Sequence, residues 1–187
     1  ILNYKAPYWI EYCDKLKEYP RNPDWFSGNR ILLRRLVNRR QRLMSSFYNK
    51  PLMTNKNLYI IKSNGPESIF FVLGIFNSLL FSRIYLTLVS QARKDDFPQV
   101  TIKDFKRIPF RQIDFQNERD KSLHDQMVTY VDTILELNKK LSKVKTEHEQ
   151  TVIQRQIDST DRKIDKLVYE LYDLTEEEIK IVEENGK

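Results

Sequence analysis

Hydrophobic and polar positions change their spacing along the chain, and the changes divide it into segments. Residues 1–28 are rich in aromatic side chains and interrupted by proline, so we expect only a short helix at 9–18 there. Three short apolar runs follow at 30–37, 43–48 and 57–62, separated by polar or proline-bearing connectors. Runs of this length between turn-forming residues are typical of β-strands. The first third of the chain therefore predicts short strands.

The most apolar stretch lies at 69–89, and its length raises the question of a membrane span. Asn77, Ser78 and Arg83 interrupt it, and an arginine at the centre of a bilayer costs about 2.5 to 3.5 kcal/mol on insertion scales. We therefore predict one buried helix and no membrane contact. Pro66 and Glu67 precede this helix, and both residue types favour its first turn.

From about residue 119 the spacing becomes that of long helices. Steps of four and three residues then alternate, as in the seam of a coiled coil, at Ile153, Ile157, Thr160, Ile164, Leu167, Leu171 and Leu174. Thr146 and Glu149 have the spacing of a capping box and predict the start of a second long helix. We expect two arms of roughly 35 to 45 Å, at about 1.5 Å per residue. A further capping box at Thr175 and Glu178 predicts a short last helix.

Together these elements predict an α+β chain with two parts. A mixed α/β domain with short strands and a buried helix occupies 1–115, and a long antiparallel helical hairpin occupies 116–187. The seam of the hairpin is explained by helix packing on helix and needs no ligand.

Composition excludes several classes of function. Cys13 is the lone cysteine, so no internal disulfide forms, and we expect a reduced, cytoplasmic setting. The four glycines are too widely scattered to form a phosphate-binding loop. His124 and His148 have no nearby nucleophile in the sequence, and we expect both at the surface or at a helix end. We therefore predict no catalytic site, no metal and no bound cofactor in this chain.

Charge is unevenly distributed. The whole chain has a formal net charge of +6. Residues 1–115 contain 20 basic and 9 acidic side chains, a net charge of +11, whereas residues 116–187 contain 12 and 17, a net charge of −5. The first part is therefore basic and the second acidic, so the first is the part that would attract a polyanion.

Six arginines and no lysine crowd into residues 30–42. Arginine pairs bidentately with phosphate or with the major-groove edge of guanine, whereas lysine acts as a point charge. A second polar loop, at 49–57, has asparagines and lysines suited to bases and phosphates. We predict DNA contacts from these regions and from a charged loop at 91–96, through Arg34, Arg35, Arg39, Arg40, Arg42, Asn55, Lys56, Arg93 and Lys94.

The predicted contacts have two roles. The arginine cluster and Lys56 would hold phosphates, and loops near Arg39, Asn55 and Arg93 would reach base edges. Arg34 and Arg35 point to opposite faces of a strand, so they cannot share a role. A solvated basic face without a ligand is the alternative.

Five segments, in order, resemble one known family. They are residues 8–12 (YWIEY), 30–35 (RILLRR), 73–80 (LGIFNSLL), 97–109 (FPQVTIKDFKRIP) and 164–179 (IDKLVYELYDLTEEEI). The family is the TaqI-like C-terminal specificity domain, the target-recognition part of type IIG restriction–modification enzymes and related adenine-N6 DNA methyltransferases. It is similar in turn to the specificity subunits of type I systems.

The resemblance implies a domain that reads a short double-stranded DNA site, in the cytoplasm of a prokaryote, followed by helices that brace it. It implies methyltransferase and nuclease domains upstream in the same polypeptide, and the start at Ile1 without methionine fits a piece of a longer protein. S-adenosylmethionine and magnesium would then belong to those upstream domains. The resemblance does not assign base contacts.

The expected function is sequence-specific recognition of double-stranded DNA, without catalysis by this chain. One alternative is a protein-interaction module that docks a partner subunit through its helical hairpin. Another is half of a type I restriction specificity subunit, which would have a second recognition domain.

Overall fold

The structure is a computed structural model that describes residues 22–37, 41–89 and 99–184. It confirms the α+β class, with a short 3-10 helix at Pro23–Phe26 before the first strand. The strands are β1 (Arg30–Arg34), β2 (Ser45–Tyr48) and β3 (Leu58–Ile61). The helices are α1 (Ile69–Asn77), α2 (Leu79–Leu88), α3 (Ile102–Phe105), α4 (Glu118–Leu141), α5 (Glu147–Leu171) and α6 (Glu176–Glu184). The helix predicted at 9–18 lies outside the described residues.

The three strands form one antiparallel sheet in the order β2, β1, β3. Because side chains alternate along a strand, Ile31 and Leu33 face one side of β1 while Leu32 and Arg34 face the other. Ile31 and Leu33 join the hydrophobic core, and Phe47 on β2 meets Phe70 on α1 edge-to-face at 5.0 Å between ring centroids. The sheet therefore has an inner face on the helices and an outer face that carries Arg34.

The single helix predicted at 69–89 is wrong in one respect, because the chain forms two helices that meet at 61°. Ser78 causes the break. Its hydroxyl donates to the carbonyl of Ile75 at 2.8 Å and accepts the N–H of Phe81 at 3.2 Å, so it ends α1 and caps α2. Among the described residues no single helix is long and apolar enough to span a membrane, and only this bent pair, taken together, has the length and composition of a span.

Helix α1 lies between the sheet and α4, and Gly74 permits the close approach. A Cβ atom at Gly74 would lie 2.9 Å from Cγ of Met127 and 3.1 Å from Cγ2 of Val131, both buried on α4. No larger residue fits without moving these side chains. Residues from β1, α1, α4 and α5 share one hydrophobic core, and the predicted division at residue 115 stays a prediction.

The long hairpin predicted from the seam is confirmed. Helices α4 and α5 run antiparallel, and Arg119 near the start of α4 pairs with Asp173 just after α5 at 3.0 Å. Thr146 donates to the carboxylate of Glu149 at 2.6 Å and accepts its N–H at 3.4 Å, which is the predicted capping box. The first buried residue of α5 is Thr160. The loop end of the hairpin therefore projects beyond the core.

The prediction that His124 lies at the surface is wrong. His124 is 8% exposed on α4, and its ring lies 5.0 Å from that of Phe71 and 5.1 Å from that of Phe115. Its Nε2 accepts the backbone N–H of Ser68 at 3.0 Å, just before α1. The imidazole is therefore a structural acceptor that joins α4 to the start of α1, whereas His148 is exposed as predicted.

A charged cluster, which we call the junction, ties the sheet to the helices at the break between α1 and α2. The guanidinium of Arg42 donates to Asp161 and Asp165 on α5, at 3.2 Å each, and to the carbonyl of Asn77 at 2.8 Å. Asp165 also accepts the N–H of Leu79, the first residue of α2, at 2.7 Å. Arg42 and Asp165 therefore connect the segment before β2, both apolar helices and the hairpin.

Neighbouring bonds strengthen the junction. The N–H of Leu43 donates to the hydroxyl of Ser82 at 3.1 Å, and the N–H of Ser45 donates to the side-chain oxygen of Asn77 at 2.9 Å. Burial is the main influence on Asp165 and raises its pKa to about 6, while the positive charge of Arg42 acts in the opposite direction.

We predict that Gly74→Ala destabilises the protein although alanine is the better helix former. Alanine in a free helix gains about 1 kcal/mol over glycine, but overpacking against Met127 and Val131 costs about 1 to 3 kcal/mol more than the parent packing. Urea denaturation should show a net loss, and the loss should shrink in a Met127→Ala background because the clash is relieved. A Gly74→Ala protein as stable as the parent would contradict the close approach.

We predict that ionisation of Asp165 lowers the free energy of unfolding as the pH rises from about 4 to about 6. The pKa of Asp165 is raised from 3.8 to about 6 in the folded protein, so the folded state binds this proton more tightly than the unfolded state. Relative to Asp165→Asn, the parent should lose up to about 3 kcal/mol between about pH 4 and 6.5 and change little above. Urea titrations at half-unit steps check this. If the free energy of unfolding of the parent instead rises relative to that of Asp165→Asn with increasing pH, the charge of Arg42 outweighs the effect of burial on Asp165.

Arg42→Met keeps the aliphatic stem and leaves Asp165 buried without its main partner. The free energy of unfolding near pH 7 should fall by about 3 kcal/mol, and the loss should be smaller when Asp165→Asn is also present, since no buried charge remains. Arg107→Met is the matched control, because Arg107 pairs with Asp104 at an exposed site, where the loss should stay below about 1 kcal/mol. If the losses of unfolding free energy caused by Arg42→Met and Asp165→Asn simply add in the double variant, the two side chains are not coupled.

Candidate nucleic-acid interface

The outer face of the sheet is closed at the end where Arg30 lies. Arg30 is fully buried, and its guanidinium donates to the carbonyls of Gly28 and Lys50 and lies 5.4 Å from the ring centre of Tyr48. Burial lowers the pKa of Arg30 from its ordinary value. This arginine of the predicted cluster therefore supports the loops around β1 and is not presented to solvent.

The other end of the outer face opens into a depression of about 320 Å³. Its lining combines apolar side chains with a polar rim and consists of Leu32, Arg34, Met44, Ser46, Asn55, Asn57 and Leu58. Arg34 is exposed, and its guanidinium lies 3.9 Å from the sulfur of Met44. Among the described residues no carboxylate pairs with Arg34.

A tight turn before β3 shapes one side of the depression. The side-chain oxygen of Asn55 accepts the N–H of Asn57 at 2.9 Å, and the carbonyl of Asn55 accepts the N–H of Leu58 at 3.1 Å. Asparagine favours such turns because its side chain can bond the backbone two residues on. Lys56 lies at the tip of the turn and is exposed. The turn therefore presents a positive charge beside the depression.

The predicted contact residues fall into three groups. Arg34 and Asn55 line the same depression, with Lys56 beside them, whereas Arg39, Arg40, Arg93 and Lys94 lie outside the described residues. Arg35 and Arg42 are described but do not line the depression, and their contact with DNA stays a prediction.

Arg35 follows β1 and does not line the depression with Arg34, as the alternation along a strand predicts. Its N–H donates to the carbonyl of Asn57 at 2.9 Å, and its carbonyl accepts the N–H of Val100 at 2.6 Å. Its Nε is buried with no hydrogen-bond partner among the described residues. The backbone at Arg35 therefore joins β1 to the turn before β3 and to the segment that leads into α3.

Sequence reasoning missed part of the lining. Met44, Ser46 and Leu58 belong to it, although none has a charge that marks it in the sequence. Their signal is the strand register, since Ser46 pairs with Leu32 and Leu58 pairs with Arg34 across the sheet. Alternation along β1 predicts which of its residues share a face with Arg34. The residues opposite them on β2 and β3 can be predicted only when the register of the strands is known.

Comparison with known proteins identifies the family. The sequence profile of the TaqI-like C-terminal specificity domain matches residues 2–110, which include all three strands and helices α1 to α3. A protein of Methanocaldococcus jannaschii named "putative type II restriction enzyme and methyltransferase" is 32% identical over 150 residues, which is 79% of this chain. The chain spans 11% of the length of that relative. The resemblance drawn from five sequence segments is confirmed, and the chain belongs to the TaqI-like C-terminal specificity domain family.

Proposed function

We propose that this chain reads a short double-stranded DNA site as the specificity domain of a restriction–modification enzyme. The observation that carries the proposal is the exposed guanidinium of Arg34, which has no carboxylate partner among the described residues and lines a depression rimmed by asparagines. Arginine and asparagine are the side chains that most often read purine edges in the major groove. Membership of a specificity-domain family supports the same proposal.

Phosphate contacts would position the duplex on this face. Lys50 and Lys56 are exposed on the connector from β2 to β3, and we propose that they hold phosphates on either side of the depression. For Arg39, Arg40, Arg93 and Lys94 we keep the proposed role in DNA contact. For Arg42 we propose a structural role instead, because Asp161 and Asp165 already engage its guanidinium.

The acidic helices would turn away from the DNA. Helices α5 and α6 begin with carboxylates, three of them in the first turn of α6, and like charge repels a phosphate backbone. Helix α1 contacts β1, β2 and α5, and α2 contacts α5 and α6. The duplex would therefore meet the outer face of the sheet and leave the hairpin free.

We propose that the reaction chemistry belongs to a methyltransferase and a nuclease upstream in the same polypeptide. The name of the M. jannaschii relative combines both activities, and this chain corresponds to 11% of that protein. S-adenosylmethionine and magnesium would be bound there. No group of three or more histidine, cysteine or acidic side chains in the described part of the chain is arranged to hold a metal ion, and no step of the proposal runs through either cofactor.

A second candidate function is docking of a partner through the hairpin. Val152 is 41% exposed near the loop end of α5, and the neighbouring seam residues Ile153 and Ile157 are only half-buried. Size-exclusion chromatography separates the candidates. A dimer that ignores duplex DNA would favour docking, whereas a monomer that shifts when duplex is added favours DNA recognition.

We predict that binding to a pool of random duplexes weakens steeply with salt. Each lysine or arginine that neutralises a phosphate contributes about 0.9 to the slope of log affinity against log salt concentration. Lys56→Ala should therefore lower the slope by about 0.9, measured by fluorescence anisotropy between low and physiological salt. Lys143→Ala, an exposed lysine just after α4, is the matched control and should leave the slope unchanged. A flat salt response of the parent protein would contradict the proposal.

A further inference from the structure

The two asparagines of the depression are not chemically equivalent. The side-chain oxygen of Asn55 already accepts the N–H of Asn57 at 2.9 Å, so one of its two acceptor positions is occupied and the turn fixes the orientation of its amide. The side chain of Asn57 makes no hydrogen bond to any described residue, and it is exposed at the rim. Asn57 therefore retains both a donor and an acceptor for a ligand.

This difference decides which asparagine can read a base. Asparagine recognises adenine with two bonds, in which its oxygen accepts from N6 and its nitrogen donates to N7. Asn55 can form that pair only in the orientation that its turn already fixes, through an oxygen that already accepts one bond. Asn57 can form it without losing a bond to the described residues.

Arg34 and Asn57 are placed next to one another. Arg34 pairs with Leu58 across the sheet, and Asn57 is the residue before Leu58. Neighbouring strands are about 4.8 Å apart and successive residues about 3.3 Å, so the backbones of Arg34 and Asn57 are roughly 6 Å apart, within two steps of about 3.4 Å between successive base pairs. The two side chains are therefore spaced to reach adjacent or nearly adjacent base pairs.

The backbone of Asn57 is held on both sides. Its N–H donates to Asn55, and its carbonyl accepts the N–H of Arg35 at 2.9 Å. A side chain on a fixed backbone loses less entropy when it binds. The apolar part of the lining, which includes Leu32, Met44 and Leu58, is suited to the methyl group of thymine.

We propose that Arg34 and Asn57 are the residues of this face that read sequence, Arg34 at a guanine and Asn57 at an adenine in the major groove. The thymine paired with that adenine would place its methyl group against the apolar lining. Asn55 is a positioning residue that holds the turn. This inference rests on the proposed function and names its base contacts.

The test starts with selection and sequencing of bound duplexes from a randomised pool, using the parent, Asn57→Ala and, as a control, Lys143→Ala. The parent should select a site that contains a guanine and an adenine at adjacent or nearly adjacent positions. Asn57→Ala should lose the preference for that adenine by roughly tenfold or more, with the guanine preference retained. Lys143→Ala, the exposed control just after α4, should retain both preferences. Circular dichroism and thermal denaturation establish that each variant is folded.

A modified base makes the test specific to the proposed contact. Replacing the selected adenine with 7-deazaadenine removes the N7 acceptor and leaves Watson–Crick pairing intact. The substitution should weaken binding by the parent about fivefold or more and should not affect Asn57→Ala. An adenine preference that survives in Asn57→Ala, or a 7-deaza effect of the same size in both proteins, would overturn the inference while leaving DNA recognition in place. Failure of the folded parent to bind any duplex would overturn the proposed function itself.

Discussion

The ion pair between Arg42 and Asp165 is the contact on which the arrangement of the fold depends. It joins the connector before β2, the break between α1 and α2, and the hairpin, all through one buried carboxylate. Burial disfavours the charge on Asp165, so the pair is stable only with the additional bonds around it. Removing either partner would loosen the sheet from the helices at the same point.

This arrangement separates the two charged parts of the molecule. The inner face of the sheet is fixed on α1, which leaves the outer face with Arg34 directed away from the acidic helices. The same cluster explains why one arginine-rich segment has several roles. Arg30 supports loops and Arg42 closes the junction, while Arg34 stays exposed. The charge of a sequence segment therefore overstates the charge that a ligand would meet.

The sequence predicts the elements better than their contacts. Apolar runs and capping boxes were sufficient for the strands, the hairpin and its turn, because these depend on local spacing. The break at Ser78 was not predicted, because it depends partly on a residue distant in sequence: Asp165 on α5 accepts the N–H of Leu79, while the Ser78 hydroxyl accepts that of Phe81. The site was found in part: Arg34 and Asn55 share a depression, but the different hydrogen bonding of Asn55 and Asn57 depends on a turn geometry that composition does not determine.

The central claim is that DNA meets the outer face of the sheet and leaves the hairpin free, and amide hydrogen exchange of the chain with and without duplex DNA tests it most directly. The account predicts slower exchange between residues 44 and 58 when duplex is added, and unchanged exchange at residues 147–157 near the loop end of the hairpin. Protection confined to the hairpin, with no change at the sheet, would contradict it.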